Sequence, residues 1–386
     1  MLTREGCLAR RRRLWEAMAG TVDAIVITQP ESLIYFAGYL ASPFTFRSSE
    51  SSAALILLPD RAILVADDLL DPFLAESHVD ETAAFSWYQG RRTAGHRGGG
   101  LVEAFARTWP KSAGGRIGVE YSSIPAGILD GVSTDSDEQA FDLSNIEPVV
   151  RTLRRVKDED ELALLRRSAR AGEAAHAAAL ERMQPGMTEL DAFLIVQEAA
   201  VREAGEPVRV YGEFAASGGP DAIEPPRGPR PRNRPIRAGE LLLLDFSVVV
   251  HGYRADFTNT FVVGQPPSDR QRAMAEACFG AIAAGEDLLS PGRKASEVDA
   301  AVRGYLASMK LDSYFRSHSG HGLGLGHPEP PFLVPESDET LVVGDVVALE
   351  PSINAPDLGL MRFERNYIIT ERGHELLTRH RFTLTP

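Results

Sequence analysis

Short apolar runs alternate with helix-like segments over the first 150 residues of the chain. Ala24–Ile27 has the length of a buried strand, and the Ala53–Leu58 and Ala62–Val65 runs are joined by a Pro-Asp-Arg turn, which predicts a hairpin. A helix-like segment, Leu101–Trp109, and another strand-like run, Arg116–Val119, follow. This mixture predicts a compact α/β domain over residues 1–150.

The pattern changes near Arg151. From Lys157 to Met183 the chain is rich in Ala, Leu, Glu and Arg, and its apolar residues recur every three or four positions, which predicts one long helix. The Gln-Pro-Gly sequence at 184–186 should end that helix, and the segment from Thr188 to Asp191 has the form of an N-cap. We therefore expect a second domain over residues 151–386.

Two aspartates belong to strand-like segments in this second domain. The apolar run Leu241–Leu244 should end as a strand at Asp245, and the segment that follows the turn-like pair His251-Gly252 contains Asp256. Antiparallel pairing of the two strands would bring the carboxylates together, where they repel unless a cation lies between them. Each aspartate taken alone is more typical of a turn or a helix cap.

Two histidines and a glutamate follow in the C-terminal third. A glycine-rich segment, 319–327, contains His321 and His327, and the apolar run Val346–Leu349 leads directly into Glu350. A single histidine beside glycines is usually a packing residue, and a single glutamate on a strand is usually solvated or paired with arginine. Their joint occurrence after the two aspartates makes a shared site less easy to dismiss.

A last acidic residue, Glu364, completes the set. The segment Met361–Glu364 alternates in polarity, and we expect Tyr367–Ile369 to continue it as one strand. Two Asp, two Glu and one His supply carboxylate oxygens and one imidazole, a donor set that suits manganese, cobalt, iron or zinc. Five such ligands suffice for two divalent ions that share a water.

Composition then limits the classes of function. The chain has 386 residues and a net charge of -13, which argues against a general nucleic-acid binder. Its two cysteines, Cys7 and Cys278, cannot build a disulfide framework, so we expect a reducing cytoplasm. Since no apolar run approaches the roughly 18 residues of a spanning helix, we expect neither a membrane partner nor export.

The four arginines Arg10–Arg13 form a basic run in the first helix-like segment. They are consistent with a patch for nucleic acid or lipid, or with the solvated face of an amphipathic helix. Of these alternatives, we expect the solvated face.

These motifs resemble metallopeptidase family M24, which includes methionine aminopeptidase, aminopeptidase P, prolidase and creatinase-like enzymes. Leu33–Tyr39 is similar to the tyrosine and glycine run of the creatinase N-terminal domain. The Arg154–Lys157 and Pro185–Glu189 segments match the opening of the family's catalytic domain, and Asp245 and Asp256 have the family's spacing of eleven. The resemblance implies an α/β creatinase-like domain over residues 1–150 and an α+β pita-bread catalytic domain over residues 151–386.

The resemblance also implies the ligands, the substrate and the quaternary structure. The substrate would be an X-Pro dipeptide, a short peptide or a related small amide, and the chain would form a homodimer in which one N-terminal domain limits access to the partner's site. The residues implied to hold two divalent ions are Asp245, Asp256, His321, Glu350 and Glu364.

Hydrolysis at such a site assigns further roles. Glu350 or His327 would accept or relay the proton of the attacking water, and Arg362 would stabilise a carboxylate or the developing charge. His318, close to the metal-binding histidine in sequence, is a further candidate catalytic residue.

The chain departs from the proline-specific members at their three auxiliary histidines. The first position is Pro226 here, the second is Ser317 with His318 one residue later, and the third is Pro328 with His327 one residue earlier. Proline has no side-chain donor or acceptor, so neither proline does a histidine's work. His318 and His327 would compensate only if the loop backbone shifts by one residue.

Two smaller departures are Ser247 and Asn259, where the family usually has Gly and Arg. Together these differences leave several functions open. The platform serves either the peptidase reaction or another substrate, as in creatinase-like amidinohydrolases, ectoine hydrolases and dimethylsulfoniopropionate lyases. A third alternative is a non-catalytic binding protein on the same fold.

A loop rich in proline and arginine precedes Asp245. Arginine binds carboxylates through its planar fork, so one or two of these side chains would receive an anionic substrate group. The alternative is a solvated loop that balances an acidic protein. The arginines are Arg227, Arg230, Arg232, Arg234 and Arg237.

Overall fold

The computed structural model describes residues 1–41, 53–87, 95–132, 142–218, 230–356 and 358–385. The chain divides into two compact units, Met1–Arg154 and Arg155–Pro386. No helix among these described residues is long and apolar enough to cross a membrane.

The first unit contains a six-stranded sheet. Its strands are β1 (Ala24–Ile27), β2 (Ala53–Leu57), β3 (Ala62–Asp67), β4 (Glu81–Phe85), β5 (Arg116–Val119) and β6 (Asp142–Asn145). Their order is β4-β3-β2-β1-β5-β6, with parallel pairs at β3–β4, β1–β5 and β5–β6 and antiparallel pairs at β1–β2 and β2–β3. The predicted hairpin and the predicted strands at Ala24–Ile27 and Arg116–Val119 are confirmed.

Along the chain, helices precede, separate and follow the strands of this sheet. They are α1 (Arg4–Ala17), α2 (Pro30–Ala37), α3 (Asp71–Ala75), α4 (Arg97–Thr108), α5 (Ala126–Val132) and α6 (Glu147–Arg155), with a 3-10 turn at Asp68–Leu70. Every residue of β1, β2 and β3 is buried, which explains why these strands are continuous apolar runs rather than alternating ones.

The expectation of a solvated arginine face on α1 is wrong for two of its residues. Arg10 is fully buried, where its Nε donates to the carbonyl oxygen of Tyr35 at 2.8 Å and its guanidinium lies over the Tyr35 ring. Arg11 is buried as well and donates to the carbonyl oxygen of His78 at 2.8 Å. These two guanidiniums fix α1 to neighbouring backbone because each finds an acceptor within the unit.

The second unit contains four long helices, α7 (Glu159–Arg182), α8 (Glu189–Ala204), α9 (Asp269–Glu286) and α10 (Ala295–Ser308), and a 3-10 turn at Asp312–Tyr314. The predicted long helix and the predicted cap at Thr188 are confirmed, since Thr188 and Asp191 form a reciprocal capping box at the start of α8. Helix α7 packs closely on a strand beneath it, because a side chain at Gly172 would begin 1.9 Å from the ring of Phe257.

Three groups of strands complete the second unit. The strands are β7 (Arg209–Ser217), β8 (Leu241–Val250), β9 (Tyr253–Val262), β10 (Gly320–Gly322), β11 (Glu329–Leu333), β12 (Val346–Leu349), β13 (Ser352–Ala355), β14 (Gly359–Arg362), β15 (Arg365–Thr370) and β16 (Gly373–Leu376). They form an antiparallel sheet β7-β8-β9, a five-stranded sheet β11-β10-β12-β15-β16 and a hairpin β13-β14.

Two expected strand boundaries differ in the structure. Asp245 lies in the middle of β8 rather than at its end, because the valines of 248–250 continue the buried strand beyond it. The segment expected as one strand from Met361 to Ile369 is divided between β14 and β15, which belong to different sheets. The chain leaves one sheet for the other at Glu364, whose backbone N donates to the carbonyl oxygen of Thr258 at 3.0 Å.

Candidate metal centre

One face of the β7-β8-β9 sheet presents the first two candidate ligands. Side chains of directly opposed residues in antiparallel strands lie on the same face. Two adjacent cross-strand rows on that face therefore carry Asp245 and Asp256 side by side. The rows are Glu213–Asp245–Thr258 and Tyr211–Ser247–Asp256.

The opposite face of this sheet is an aromatic core. Phe246 stacks between two other rings, with centroids 6.0 Å from Phe214 and 5.5 Å from Phe257. All three side chains are fully buried. The alternation of strand side chains therefore fixes which face of β8 and β9 receives the carboxylates.

The five-stranded sheet supplies the next two candidate ligands. His321 lies on β10 opposite Ala348 of β12, and Glu350 follows the end of β12. The backbone N of Glu350 donates to the carbonyl oxygen of Ser319 at 2.9 Å, which holds the two segments together beyond the strand. His321 Nε2 lies 3.0 Å from Glu350 Oε1.

The tautomer of His321 follows from its other ring nitrogen. Nδ1 lies 2.9 Å from the carbonyl oxygen of Gly322, which can only accept, so Nδ1 carries the proton. Nε2 is then the nitrogen that faces the carboxylates and offers a lone pair to an ion.

Glu364 is held between the two strand systems. Thr258 donates its hydroxyl to Glu364 Oε2 at 2.7 Å, and Asn366 Nδ2 lies 3.4 Å from Glu364 Oε1. Asn366 also accepts the backbone N–H of Asp256 at 2.8 Å. A buried amide thus connects two candidate ligands from different sheets.

The five predicted ligands meet in overlapping groups. Within each group one ligand atom per residue lies within 4.8 Å of the others, and the groups share Asp256 and His321. The groups are Asp245 with Asp256 and Glu364, Asp256 with His321 and His327, and His318 with His321 and Glu350. The structure therefore brings all five residues together and adds the two histidines proposed as catalytic.

Burial and mutual repulsion make it unfavourable for two of these carboxylates to ionise. Burial raises the pKa of Asp245 to about 7 and raises that of Glu364 well above its ordinary value, and in both cases neighbouring carboxylates add to the effect. Such groups resist ionisation unless positive charge is close. The donor set of four carboxylates and one imidazole, crowded and largely buried, fits a divalent metal.

Asp256 and Glu350 show the opposite shift. Burial works against their ionised forms, but hydrogen bonds and charge from imidazoles outweigh it and lower the pKa of both carboxyls. The partner of Asp256 is His327, and those of Glu350 are His318 and His321. The same carboxylates raise the pKa of His321 to about 9 against the effect of its burial.

Arg362 is the cation that the chain itself supplies. Its Nη1 donates to Asp245 Oδ2, and its Nε lies 3.8 Å from Glu350 Oε2. Burial opposes its charge, yet the surrounding carboxylates raise the pKa of the guanidinium above its ordinary value. One guanidinium compensates only part of the charge of four carboxylates.

The two displaced histidines both reach the cluster. His318 Nε2 donates to Glu350 Oε1 at 2.8 Å, and His327 Nε2 contacts Asp256 Oδ2. His327 is exposed and His318 half-buried, whereas His321 is buried. They therefore lie on the open side of the ligand cluster, despite the one-residue offsets in sequence.

Three residues that support the ligands were not identified as such from the sequence. Ser247 donates its hydroxyl to Asp256 Oδ1 at 3.0 Å, and Thr258 and Asn366 hold Glu364. In the sequence, Ser247 stands out only as a departure from glycine. The period-two alternation of β8 places it on the ligand face and is the signal that could have found it.

The structure describes two of the other positions at which the chain differs from the family pattern, Asn259 and Pro328. Asn259 is fully buried, where it exchanges hydrogen bonds with the backbone of Thr383, so it fastens the C-terminal segment. Pro328 is exposed next to His327. Pro226 lies outside the described residues.

Two arginines of the basic loop are committed to glutamates of the same chain. Arg232 binds Glu189 through two nitrogens, at 2.8 and 2.6 Å, and Arg234 binds Glu240 at 3.0 and 2.5 Å. Both glutamates are buried. These guanidiniums therefore neutralise internal carboxylates, and Arg227 lies outside the described residues.

Comparison with protein families divides the chain in two. Residues 163–371 match the model of "Metallopeptidase family M24", and residues 10–156 match that of the "Creatinase/Prolidase N-terminal domain".

Curated relatives match over almost the whole chain. A probable dipeptidase PepE of Mycobacterium bovis is 32% identical over 387 residues, covering 94% of this chain and 92% of the relative. An uncharacterized peptidase, YqhT of Bacillus subtilis, is 29% identical over 357 residues, covering 92% and 94%.

Solved structures agree on the fold. The prolidase of Pyrococcus horikoshii has a TM-score of 0.79 at 23% identity, with 97% of this chain and 99% of that chain covered. An Xaa-Pro dipeptidase of Bacillus anthracis has a TM-score of 0.80 at 22% identity, with 98% and 99% covered. The expected creatinase-like domain followed by a pita-bread catalytic domain is confirmed.

Proposed function

Because the chain belongs to metallopeptidase family M24, as its motifs predicted, we propose that it is a metal-dependent dipeptidase. The substrates proposed are X-Pro dipeptides, short peptides of the same kind or a related small amide. Relatives named as a probable dipeptidase and as an Xaa-Pro dipeptidase support the peptide class.

One observation carries the proposal. Four carboxylates and one imidazole from two sheets converge within overlapping groups whose ligand atoms lie within 4.8 Å of one another. We propose that they hold two divalent ions of manganese, cobalt, iron or zinc. The proposed ligands are Asp245, Asp256, His321, Glu350 and Glu364.

Divalent ions at such a site lower the pKa of a water and polarise a carbonyl group. Glu350 is the proposed acceptor of the proton, because its carboxylate is ionised and two imidazoles already contact it. His318 and His327 extend from that cluster toward solvent and are the proposed relays to the leaving amine.

Arg362 is proposed to stabilise negative charge beside the reacting carbonyl. Its guanidinium lies between Asp245 and Glu350, so it pairs with one carboxylate on β8 and with another just past the end of β12. Loss of this cation would leave the charge of the carboxylates less compensated. Lysine should not replace Arg362 fully, because its ammonium is a point charge that cannot pair with two carboxylates in the way a planar guanidinium does.

The quaternary and cellular assignments belong to the same proposal. We propose that the chain forms a homodimer. We also propose that its domain boundary lies near residue 150. The proposed location is the cytoplasm, because the chain has only two cysteines. Light scattering on the purified, metal-loaded protein measures the first assignment directly, and a mass of one chain would contradict it.

A substrate screen with product analysis tests the proposed activity. Purified metal-loaded protein is given X-Pro dipeptides, small amides and sulfonium acids, and free amino acids are expected from the dipeptides. An alkene formed without incorporation of water would instead demonstrate elimination and overturn the peptidase assignment.

A further inference from the structure

Glu213 is an acidic residue beside the metal ligands that none of the proposed roles uses. It lies on β7 directly opposite Asp245 of β8, so both side chains are on the ligand face of the sheet. It is half-buried, and it is absent from the groups whose ligand atoms lie within 4.8 Å of one another. Glu213 is therefore next to the candidate metal centre without being one of its ligands.

Within the described part of the chain, the Glu213 carboxylate makes no hydrogen bond and no ion pair. The other acidic residues of this region have partners: Glu189 binds Arg232, Glu240 binds Arg234, and Asp245 binds Arg362. A half-buried carboxylate beside other carboxylates is electrostatically unfavourable unless a cation joins it.

The surroundings of Glu213 favour a cation that arrives from solvent. Arg362 is close enough to Glu213 for a coulombic attraction, but its guanidinium forms its ion pairs with Asp245 and Glu350. The ligand face of the sheet thus retains the Glu213 carboxylate, to which no described side chain is bound.

We propose that Glu213 is a specificity-determining residue that binds the α-ammonium group of the dipeptide's first residue. The inference rests on the proposed dipeptidase function and deepens it, because it defines the substrate as one with a free amino terminus. Glu213 would discriminate between free and amino-blocked substrates and would take no part in bond cleavage.

Distance favours the α-ammonium over a basic side chain. Neighbouring strands lie about 4.8 Å apart, so Glu213 is one strand spacing from Asp245. The α-ammonium is separated from the scissile carbonyl by one carbon atom and is therefore held near the ligands for every dipeptide. A lysine or arginine side chain has a long flexible stem and fixes no such position.

The experiment compares two substrates that differ only in the ammonium group, Ala-Pro and propionyl-Pro. The kcat/KM for Ala-Pro is divided by the kcat/KM for propionyl-Pro, and this ratio is measured for the wild type and for Glu213→Gln. Metal content is determined on the same samples. A charge-assisted hydrogen bond is lost in the variant, so the ratio should fall by about 10-fold to 100-fold, mainly through the KM of Ala-Pro.

Two controls make the result interpretable. Glu203→Gln removes an exposed carboxylate from α8 and should keep the wild-type ratio. The melting temperature of Glu213→Gln shows that the variant is folded, and Glu213→Ala should reproduce its loss of discrimination.

The failures of the two proposals are distinguishable. An active wild type whose substrate ratio is unchanged by Glu213→Gln would overturn the inference alone. So would a variant that loses metal while both substrates slow equally, because Glu213 would then balance the charge of the centre. A wild type that binds metal but cleaves neither substrate would overturn the dipeptidase function, and this inference with it.

Discussion

Ser247 shows how a single side chain orients a candidate ligand. Its hydroxyl can turn its only hydrogen toward Asp256 Oδ1, 3.0 Å away, which leaves the second oxygen of Asp256 directed toward the cluster. Outer partners of this kind orient ligands and strengthen metal binding. A departure from glycine therefore has a positive role at this site.

Removing the Ser247 hydroxyl should weaken metal binding without unfolding the protein. Ser247→Ala loses a hydrogen bond to a buried carboxylate, and affinity for manganese or zinc should fall by about 10-fold to 100-fold. Competition titration against a chelating dye measures the affinity directly.

Ser168→Ala is the matched control for this prediction. Ser168 is a fully buried serine that donates to the carbonyl oxygen of Tyr253 at 2.9 Å, apart from the ligands. Its loss should lower the free energy of unfolding by about 1 kcal/mol and leave metal affinity unchanged. Equal metal affinity in Ser247→Ala and the wild type would refute the orienting role.

At the scale of elements, the packing of α7 on β9 supports the strand that carries Asp256. Gly172 of α7 faces Phe257, the residue that follows Asp256, and no space exists for a Cβ atom there. Phe257 in turn stacks on Phe246 of β8. The position of the carboxylates thus depends on a helix on the opposite side of the sheet.

Gly172→Ala should therefore be destabilising, although alanine favours helix. The added methyl would lie 1.9 Å from a ring carbon of Phe257, and relief of this overlap should cost about 1–3 kcal/mol. Chemical denaturation measures the change. Gly304→Ala in α10 meets no atom within 4 Å and should stabilise by about 0.5–1 kcal/mol. Similar free energies of unfolding for the two variants would contradict this account of the packing.

A buried histidine pair connects α7 with the C-terminal segment. The rings of His176 and His380 lie 4.8 Å apart, and burial lowers the pKa of His176 to about 4 and that of His380 well below its ordinary value. Because unfolding restores ordinary values near 6.5, the unfolded chain binds more protons in mild acid, and stability must fall as the pH drops below that value.

His176→Gln tests this dependence. Between pH 7 and pH 5 the wild type should lose about 2 kcal/mol of unfolding free energy through His176 alone, and the variant should lose correspondingly less. Urea denaturation at both pH values gives the comparison. Parallel losses in the two proteins would show that His176 is not the origin of the effect.

Strand interiors were predictable from the sequence, and so was the pairing of strands joined by a short turn, as in β2–β3 and β8–β9, but pairing across long connections was not. The run at Ala24–Ile27 coincides with β1 because a fully buried strand needs uninterrupted apolar residues, and the run at Arg116–Val119 coincides with β5, in which Arg116 alone is exposed. Asp245 was misplaced at a strand end because a charged residue normally terminates such a run. The opposition of Glu213 and Asp245 depends on register set by a long connection between β7 and β8, which local periodicity does not encode.

At the scale of the whole molecule, the grouping of the five candidate ligands was predictable because these residues occur in recognisable local contexts. Asp245 and Asp256 flank one turn, whereas His321, Glu350 and Glu364 come from the distant C-terminal third. Their convergence follows from the meeting of two sheets within the second unit. The sequence alone does not predict whether His318 and His327 contact that cluster. Each lies one residue away from the family's usual histidine position, and spacing along the chain does not show whether the side chain still reaches the site.

The central claim is that these five residues hold divalent ions on which peptide hydrolysis depends. The most direct measurement is metal content and X-Pro dipeptide turnover on one preparation, before chelation, after chelation and after addition of manganese, cobalt, iron or zinc. The account predicts about two ions per chain, loss of turnover on their removal and recovery on their return. Full dipeptide turnover by protein with no bound metal would contradict it.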